Sequence, residues 1–236
     1  MPTTARAHFD DDIGRAEALL TEADAVPAAR ALVAVDIRRA ALALGVGAMD
    51  AYLCDAHIDC LTRCLRAYRQ GTCAKLPPTY AKELLPAGPL LAQHYKSRSN
   101  WGLRMAARAR MERENMLQVG RIKEMFNPTL AVGQKLWADI LDDYTSLNRK
   151  RLTKHTASDI SALTGNARAK ARKEAAAALV ARMTRIVQRR HDIVHNFDRP
   201  KSAPQELTPG QAKAMVRDVK DFVTILDAHL DHHRSW

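Results

Sequence analysis

Arg190, His191, Asp192 and His195 lie in the stretch Gln188–Pro200, QRRHDIVHNFDRP, and combine side chains suited to proton transfer and anion binding. A histidine near its ordinary pKa takes or gives a proton at neutral pH. A guanidinium is permanently charged, and its planar fork matches the oxygens of a phosphate or carboxylate. Four residues separate Arg190 from His195. Such a pair suits acid–base chemistry at a centre where negative charge accumulates. His191 and His195 stand four apart, so on a helix they share one edge.

The segment leading into these residues, Lys173 to Phe197, reads KEAAAALVARMTRIVQRRHDIVHNF. Its apolar residues Leu179, Met183, Ile186/Val187, Ile193/Val194 and Phe197 follow the spacing of a core-facing helical stripe. The same spacing carried on from Ile186 reaches Arg190, which predicts a permanent charge on the buried side. Charges are rarely buried without partners, so the expectation is a stripe that opens onto a polar cleft there. Asn196, Asp198 and Pro200 predict the helix end. The plainer reading is an arginine that snorkels to the surface beside two ordinary surface histidines.

The run Arg190-His191-Asp192-Ile193-Val194-His195 resembles the Arg-x(4–6)-His motif of the HEPN superfamily, and the chain is most similar to its RiboL-PSP-type members. An early helix containing ALALGVGAMDAYLCDAHIDCLTRCL and a closing helix containing LTPGQAKAMVRDVKDFVTILDAHL support the likeness. The resemblance implies a helical bundle of four principal helices with additional inserted helices. It treats residues 1–236 as one domain, with core helices at about 27–70 and 173–232 and a helical insertion at about 72–172. It implies a homodimer whose motif helices line a shared cleft, and a metal-independent endoribonuclease acting as a toxin or anti-phage effector. His195 then transfers protons, Arg190 stabilises charge, and His191 and Asp192 support them. An antitoxin or defence-system partner belongs to the same expectation, and no cofactor or metal does. Some HEPN toxins carry a tyrosine two residues after the motif histidine, where a partner transferase adds nucleotides; Phe197 stands there, which puts such regulation in doubt. Two other readings stay open: a nuclease-inactive HEPN module that binds RNA, nucleotide or protein, and a basic helical DNA-binding protein, though no clear helix-turn-helix pair is present.

Hydrophobic residues make up 47% of the 236, enough for a core, while aromatics are only 5%. Abundant Ala, Leu, Arg and Lys with few β-branched or aromatic runs predict an all-α protein. The net charge of +11 points to a polyanionic partner, RNA or DNA before a membrane. The polar start, PTTARAHFDDD, and the lack of a long apolar run lead to the expectation of a cytoplasmic protein without signal peptide or membrane span. Cys54, Cys60, Cys64 and Cys73 lack the paired spacing of a zinc site and are read as free thiols.

Along the chain, Asp10–Ala23 predicts a short amphipathic helix. Pro27 opens a long helix that Gly71 ends, with Gly45 and Gly47 as places for a kink or a close approach. Asp50 lies on or beside its apolar face, either opposite Arg190 or in solvent. Prolines and glycines break up Thr72–Asn100. Trp101–Val119 predicts a basic amphipathic helix with Arg104, Arg108, Arg110 and Arg113 opposite Leu103, Met105, Met111 and Met116. Thr129–Leu152 predicts another helix, ending in Asn148-Arg149-Lys150-Arg151. Thr156 and Asp159 predict a capped short helix closed by Gly165. Lys154, Arg168, Lys170 and Arg172 around it, together with Arg189, are the candidate RNA-backbone contacts. Thr208-Pro209-Gly210-Gln211 marks the start of the last helix, whose tail holds His229, His232 and His233.

Overall fold

The structure, a computed structural model, describes residues 4–91, 101–112, 117–130, 133–196, 198 and 205–232. Arg113, Met116, Phe197, Pro200 and His233 lie outside the described residues. The protein is all-α: the described residues form twelve α-helices and two short 3-10 turns, with no β-strand. The helices are α1 (Thr4–Ala25), α2 (Ala31–Arg69), α3 (Pro78–Ala81), α4 (Ala87–Leu91), α5 (Trp101–Met111) and α6 (Val119–Phe126). They continue with α7 (Leu136–Asp139), α8 (Leu141–Ser146), α9 (Lys150–Thr153), α10 (Ala157–Ser161), α11 (Gly165–Asn196) and α12 (Pro209–His232). The chain forms two compact units: Met1–Tyr52 with Trp137–Ala228, and Leu53–Leu136 with His229–Trp236.

In the first unit, α1 buries Phe9, Ile13, Ala16, Leu20 and Ala23, a stripe of alternating four- and three-residue steps. That stripe begins at Ala5, so α1 starts earlier than the expected Asp10, and Arg6 Nε donates to Asp10 Oδ1 at 2.8 Å across its first turns. The first half of α2 contributes Leu42, Val46, Met49 and Tyr52, and α12 contributes Val216, Val219, Phe222, Val223 and Leu226. Gly45 marks where α1, α2 and α12 converge: a Cβ there would stand 3.4 Å from Ile13 Cδ1 and 3.7 Å from Val216 Cγ2. No such neighbour surrounds Gly47, so the close approach belongs to Gly45, and α2 runs unbroken through both. Phe9 packs edge-on against Tyr52 with centroids 5.9 Å apart, and the Tyr52 hydroxyl donates to Asp227 Oδ1 at 2.9 Å. Trp137 stacks on Phe222 at 5.6 Å.

The second unit gathers α3–α6 around the second half of α2. His57 is buried with its ring edge-on to Tyr80 and Phe126, at 5.8 and 6.1 Å. The basic face of α5 is partly neutralised within the chain. Asp55 and Asp59, one turn apart on α2, meet Arg108 and Arg104, one turn apart on α5. Arg110 pairs with Glu83 at 3.3 Å. A Cβ at Gly102 would come within 2.7 Å of the Pro89 carbonyl oxygen, so only glycine lets α5 approach α4 this closely. None of the four thiols forms a disulfide, and burial pushes Cys64 up to about 12.

Three expected elements differ. Trp101–Val119 is not one helix: α5 stops at Met111 and α6 begins at Val119. Thr129–Leu152 is divided into α7, α8 and α9, with positive φ at Gly133 and Asn148 interrupting the run. The helix carrying the motif starts at Gly165, eight residues before Lys173, because NARAKAR is built from strong helix formers. Pro27 caps a 3-10 turn at Ala28–Arg30, and α2 follows from Ala31. Gly71, with φ +74°, sits just beyond the end of α2.

Both expected caps form. Gln211 N–H donates to Thr208 Oγ1 at 3.2 Å, and Thr208 N–H donates to Gln211 Oε1 at 3.0 Å. Asp159 N–H donates to Thr156 Oγ1, and Thr156 N–H donates to Asp159 Oδ2 at 2.8 Å. That backbone bond, then Lys150 and the Thr156 side chain, hold the Asp159 carboxyl down at about 2. A carboxyl depressed in the folded state adds stability that is present above its unfolded pKa and is lost as pH falls through the folded one. Asp159→Asn should therefore lower the melting temperature at pH 7, and the gap from wild type should close as pH falls from about 4 toward 2. Thermal unfolding at several pH values checks this; a gap independent of pH would assign the loss to packing.

Candidate functional site

The site is built on the last turns of α11. The inward face of this helix carries Ala171, Ala175, Leu179, Met183, Ile186 and then Arg189. The arginine that continues the buried stripe is thus Arg189, three residues after Ile186, and not Arg190. Arg189 was expected to face RNA; it turns inward, and its guanidinium is committed within the chain. Its Nη2 donates to Asp198 Oδ2 at 2.8 Å and to the carbonyl oxygens of Gln205 and Glu206, each at 3.1 Å. Its Nη1 bonds the Gln205 side chain.

Asp198 is fully buried and takes a left-handed backbone, φ +58°, just beyond the helix end. Short polar residues tolerate that conformation best after glycine. Its N–H reaches back to the Asp192 carbonyl at 2.9 Å, and its carbonyl accepts from Gln205 N–H at 2.9 Å. Arg39 of α2 donates from Nε to the same Asp198 oxygen that Arg189 holds, at 2.8 Å, and from Nη2 to the Gln205 carbonyl at 3.2 Å. Burial works against the Arg39 charge, but bonds to Asp198 and Asp36 outweigh it and hold its pKa above the ordinary value.

Arg190 stands beside this network without joining it. It is half-buried, its Nε is shielded from solvent with no acceptor, and its guanidinium makes no hydrogen bond or ion pair with a described residue. Asp50 of α2 faces it electrostatically: burial pushes the Asp50 carboxyl up, and the Arg190 charge opposes that shift. One Asp50 oxygen is likewise buried without a donor. His191 and His195 are exposed, with ring centroids 4.5 Å apart and planes tilted by 41°. Asp192 is half-buried and accepts from Gln188 Nε2 at 2.9 Å. The four motif residues therefore share the end of one helix, but no hydrogen bond links Arg190 to His195. The arrangement offers a cation with no hydrogen bond to a described residue beside two solvent-facing imidazoles: groups suited to binding an anion and moving a proton.

The candidate RNA contacts divide. Lys154, Arg168 and Lys170 are exposed, and Lys170 lies 4.0 Å from Glu174. Arg172 is half-buried and forks onto Asp142, with Nη1–Oδ1 at 2.5 Å and Nη2–Oδ2 at 3.2 Å. Sequence reading missed Asp198 and Arg39. The available signal was an acidic residue just past a helix end, nine residues after an arginine on the buried stripe. Compared with known proteins, the chain stands apart: no family model, curated protein or solved structure matches it.

The contrast between neighbouring arginines gives a stability test. Removing one partner from a buried ion pair costs about 3–5 kcal/mol, because the charge left behind is uncompensated. Asp198→Ala should lose that much in urea unfolding. Arg190→Ala should change stability by no more than about 1 kcal/mol, since it breaks no direct bond. Equal losses would make Arg190 a structural residue.

Proposed function

We propose that the chain is a metal-independent endoribonuclease of the HEPN type, cutting RNA by attack of a ribose 2′-hydroxyl on the adjacent phosphate. The observation that carries this reading is Arg190: a half-buried guanidinium with no hydrogen bond or ion pair to a described residue, on the helix end that presents His191 and His195. A charge kept partly desolvated with only a distant counter-charge is costly, and function is a reason to retain it.

In this mechanism His195 takes the proton from the 2′-hydroxyl or gives one to the departing 5′-oxygen. The 2′-oxygen bonds phosphorus, the bond from phosphorus to the 5′-oxygen breaks, and the products carry a 2′,3′-cyclic phosphate and a 5′-hydroxyl. Arg190 binds the phosphoryl oxygens as their charge grows. Asp50 serves as its distant counter-charge. His191 and Asp192 orient the pair or contact RNA. Two such motifs in a homodimer would supply both the acid and the base. Exposed Lys154, ahead of α11, and Arg168 and Lys170, in its first turns, contact the RNA backbone. A toxin or defence role, with an antitoxin or defence partner, fits the same reading, and a nuclease-inactive RNA-binding module is the alternative that the following test separates.

Cleavage should survive EDTA, and a single 2′-deoxy nucleotide 5′ to the scissile phosphate should block it. His195→Ala should lose at least ~10²-fold, the scale of general acid–base catalysis. His191→Ala should lose less. Arg190→Lys should also fail, because an ammonium does not reproduce the fork. Gel analysis of end-labelled RNA reads all of these. Cutting of the deoxy-substituted strand, or EDTA inhibition reversed by magnesium, would sink the mechanism; binding without any cutting would leave the inactive module.

A further inference from the structure

We infer that the α12 face carrying Arg217, Asp218 and Asp221, with Arg149 and Arg151 from the start of α9 and Arg182 from α11, is a binding surface for the phosphodiester backbone of single-stranded RNA. It lies outside the Arg190–His195 motif, and it rests on the reading of the chain as an RNA-acting protein.

The surface is organised from below by a second buried carboxylate. Asp218 is fully buried, its Oδ1 accepts from Arg151 Nη2 at 2.5 Å, and its Oδ2 accepts from Arg182 Nε at 2.8 Å. Arg149 Nη1 bonds Asp221, one turn further along the same face. Arg217 stands four residues before Asp221, so the two are helix-surface neighbours. It is exposed and makes no ion pair with a described residue. Three guanidinium groups thus bond two carboxylates, and Arg217 adds a fourth cation whose charge acts on Arg149. Burial, and then the like charges of Arg151 and Arg217, hold the Arg149 guanidinium below its ordinary pKa. Cations crowded in this way are relieved by an anion that bridges them.

A guanidinium carries five N–H donors in a fixed fork, so the bonds to Asp218 and Asp221 leave outward donors on Arg149 and Arg151. Pinning these side chains in advance removes part of the entropy cost of binding. Several cations in a row suit the repeating charge of a nucleic-acid strand better than a single carboxylate. No aromatic ring is among the six residues, so the surface holds phosphates and reads no bases.

The test measures binding of a short 2′-O-methyl RNA, which lacks the attacking hydroxyl and so separates binding from cutting. Fluorescence anisotropy over a salt series should show that Arg217→Gln lowers the log–log salt slope by about 0.7 and weakens binding roughly fourfold at about 0.15 M salt. Arg217→Glu should weaken it further. Arg15→Gln, on the exposed face of α1, should change neither. Arg217 bears no ion pair with a described residue, so an unchanged melting temperature in both Arg217 variants confirms that the fold is intact. Wild-type binding without cutting of natural RNA would leave this surface standing while the nuclease reading falls. Normal cutting with an unaltered slope in Arg217→Gln would do the reverse. An equal loss in Arg15→Gln, or no wild-type binding, would overturn the surface.

Discussion

Two arginines grip one oxygen of a carboxylate that has no access to water, and this contact fixes the end of α11. Asp198 joins Arg39 of α2, Arg189 of α11 and, through its backbone, the carbonyl of Asp192 and the amide of Gln205. Desolvating such a charge costs several kcal/mol, and only close, multiple bonds offset that. The bonds are available because each arginine also reaches the Gln205 carbonyl. The Asp198 N–H occupies the Asp192 carbonyl in the last turns of α11, the stretch that carries Arg190, His191 and His195.

The same device recurs at Asp218, where Arg151 and Arg182 arrive from two different helices. In a chain with few aromatic residues, these buried ion clusters replace part of what large side chains do elsewhere: they specify which helix sits against which. Apolar stripes of Ala, Leu and Val tolerate sliding by a turn. A carboxylate that needs two guanidinium groups at once does not.

Much of the helical content was legible because period and caps are local. The Thr208–Gln211 and Thr156–Asp159 boxes follow from side-chain reach alone, and both form. The Met183 and Ile186 stripe was legible for the same reason. The identity of the buried arginine was not. Steps of three and four from Ile186 reach Arg189 and Arg190, and both satisfy helical periodicity. The choice is made by Asp198 and Arg39, one across a chain reversal and the other on another helix. The division of Thr129–Leu152 into three helices was hidden because left-handed positions such as Asn148 depend on where the neighbouring helices pack. That Arg190 makes no hydrogen bond or ion pair with a described residue is a negative fact, which helical periodicity does not carry.

Eight residues separate Arg189 from Asp198, and each of the two is anchored in the interior. Adding or removing one residue between them would rotate everything downstream on the helix by about 100° relative to everything upstream. The segment is therefore fixed in length by its two buried ends, whatever its outer residues do. Over evolutionary time, insertions and deletions inside the interval are purged even where a substitution at the surface would be tolerated.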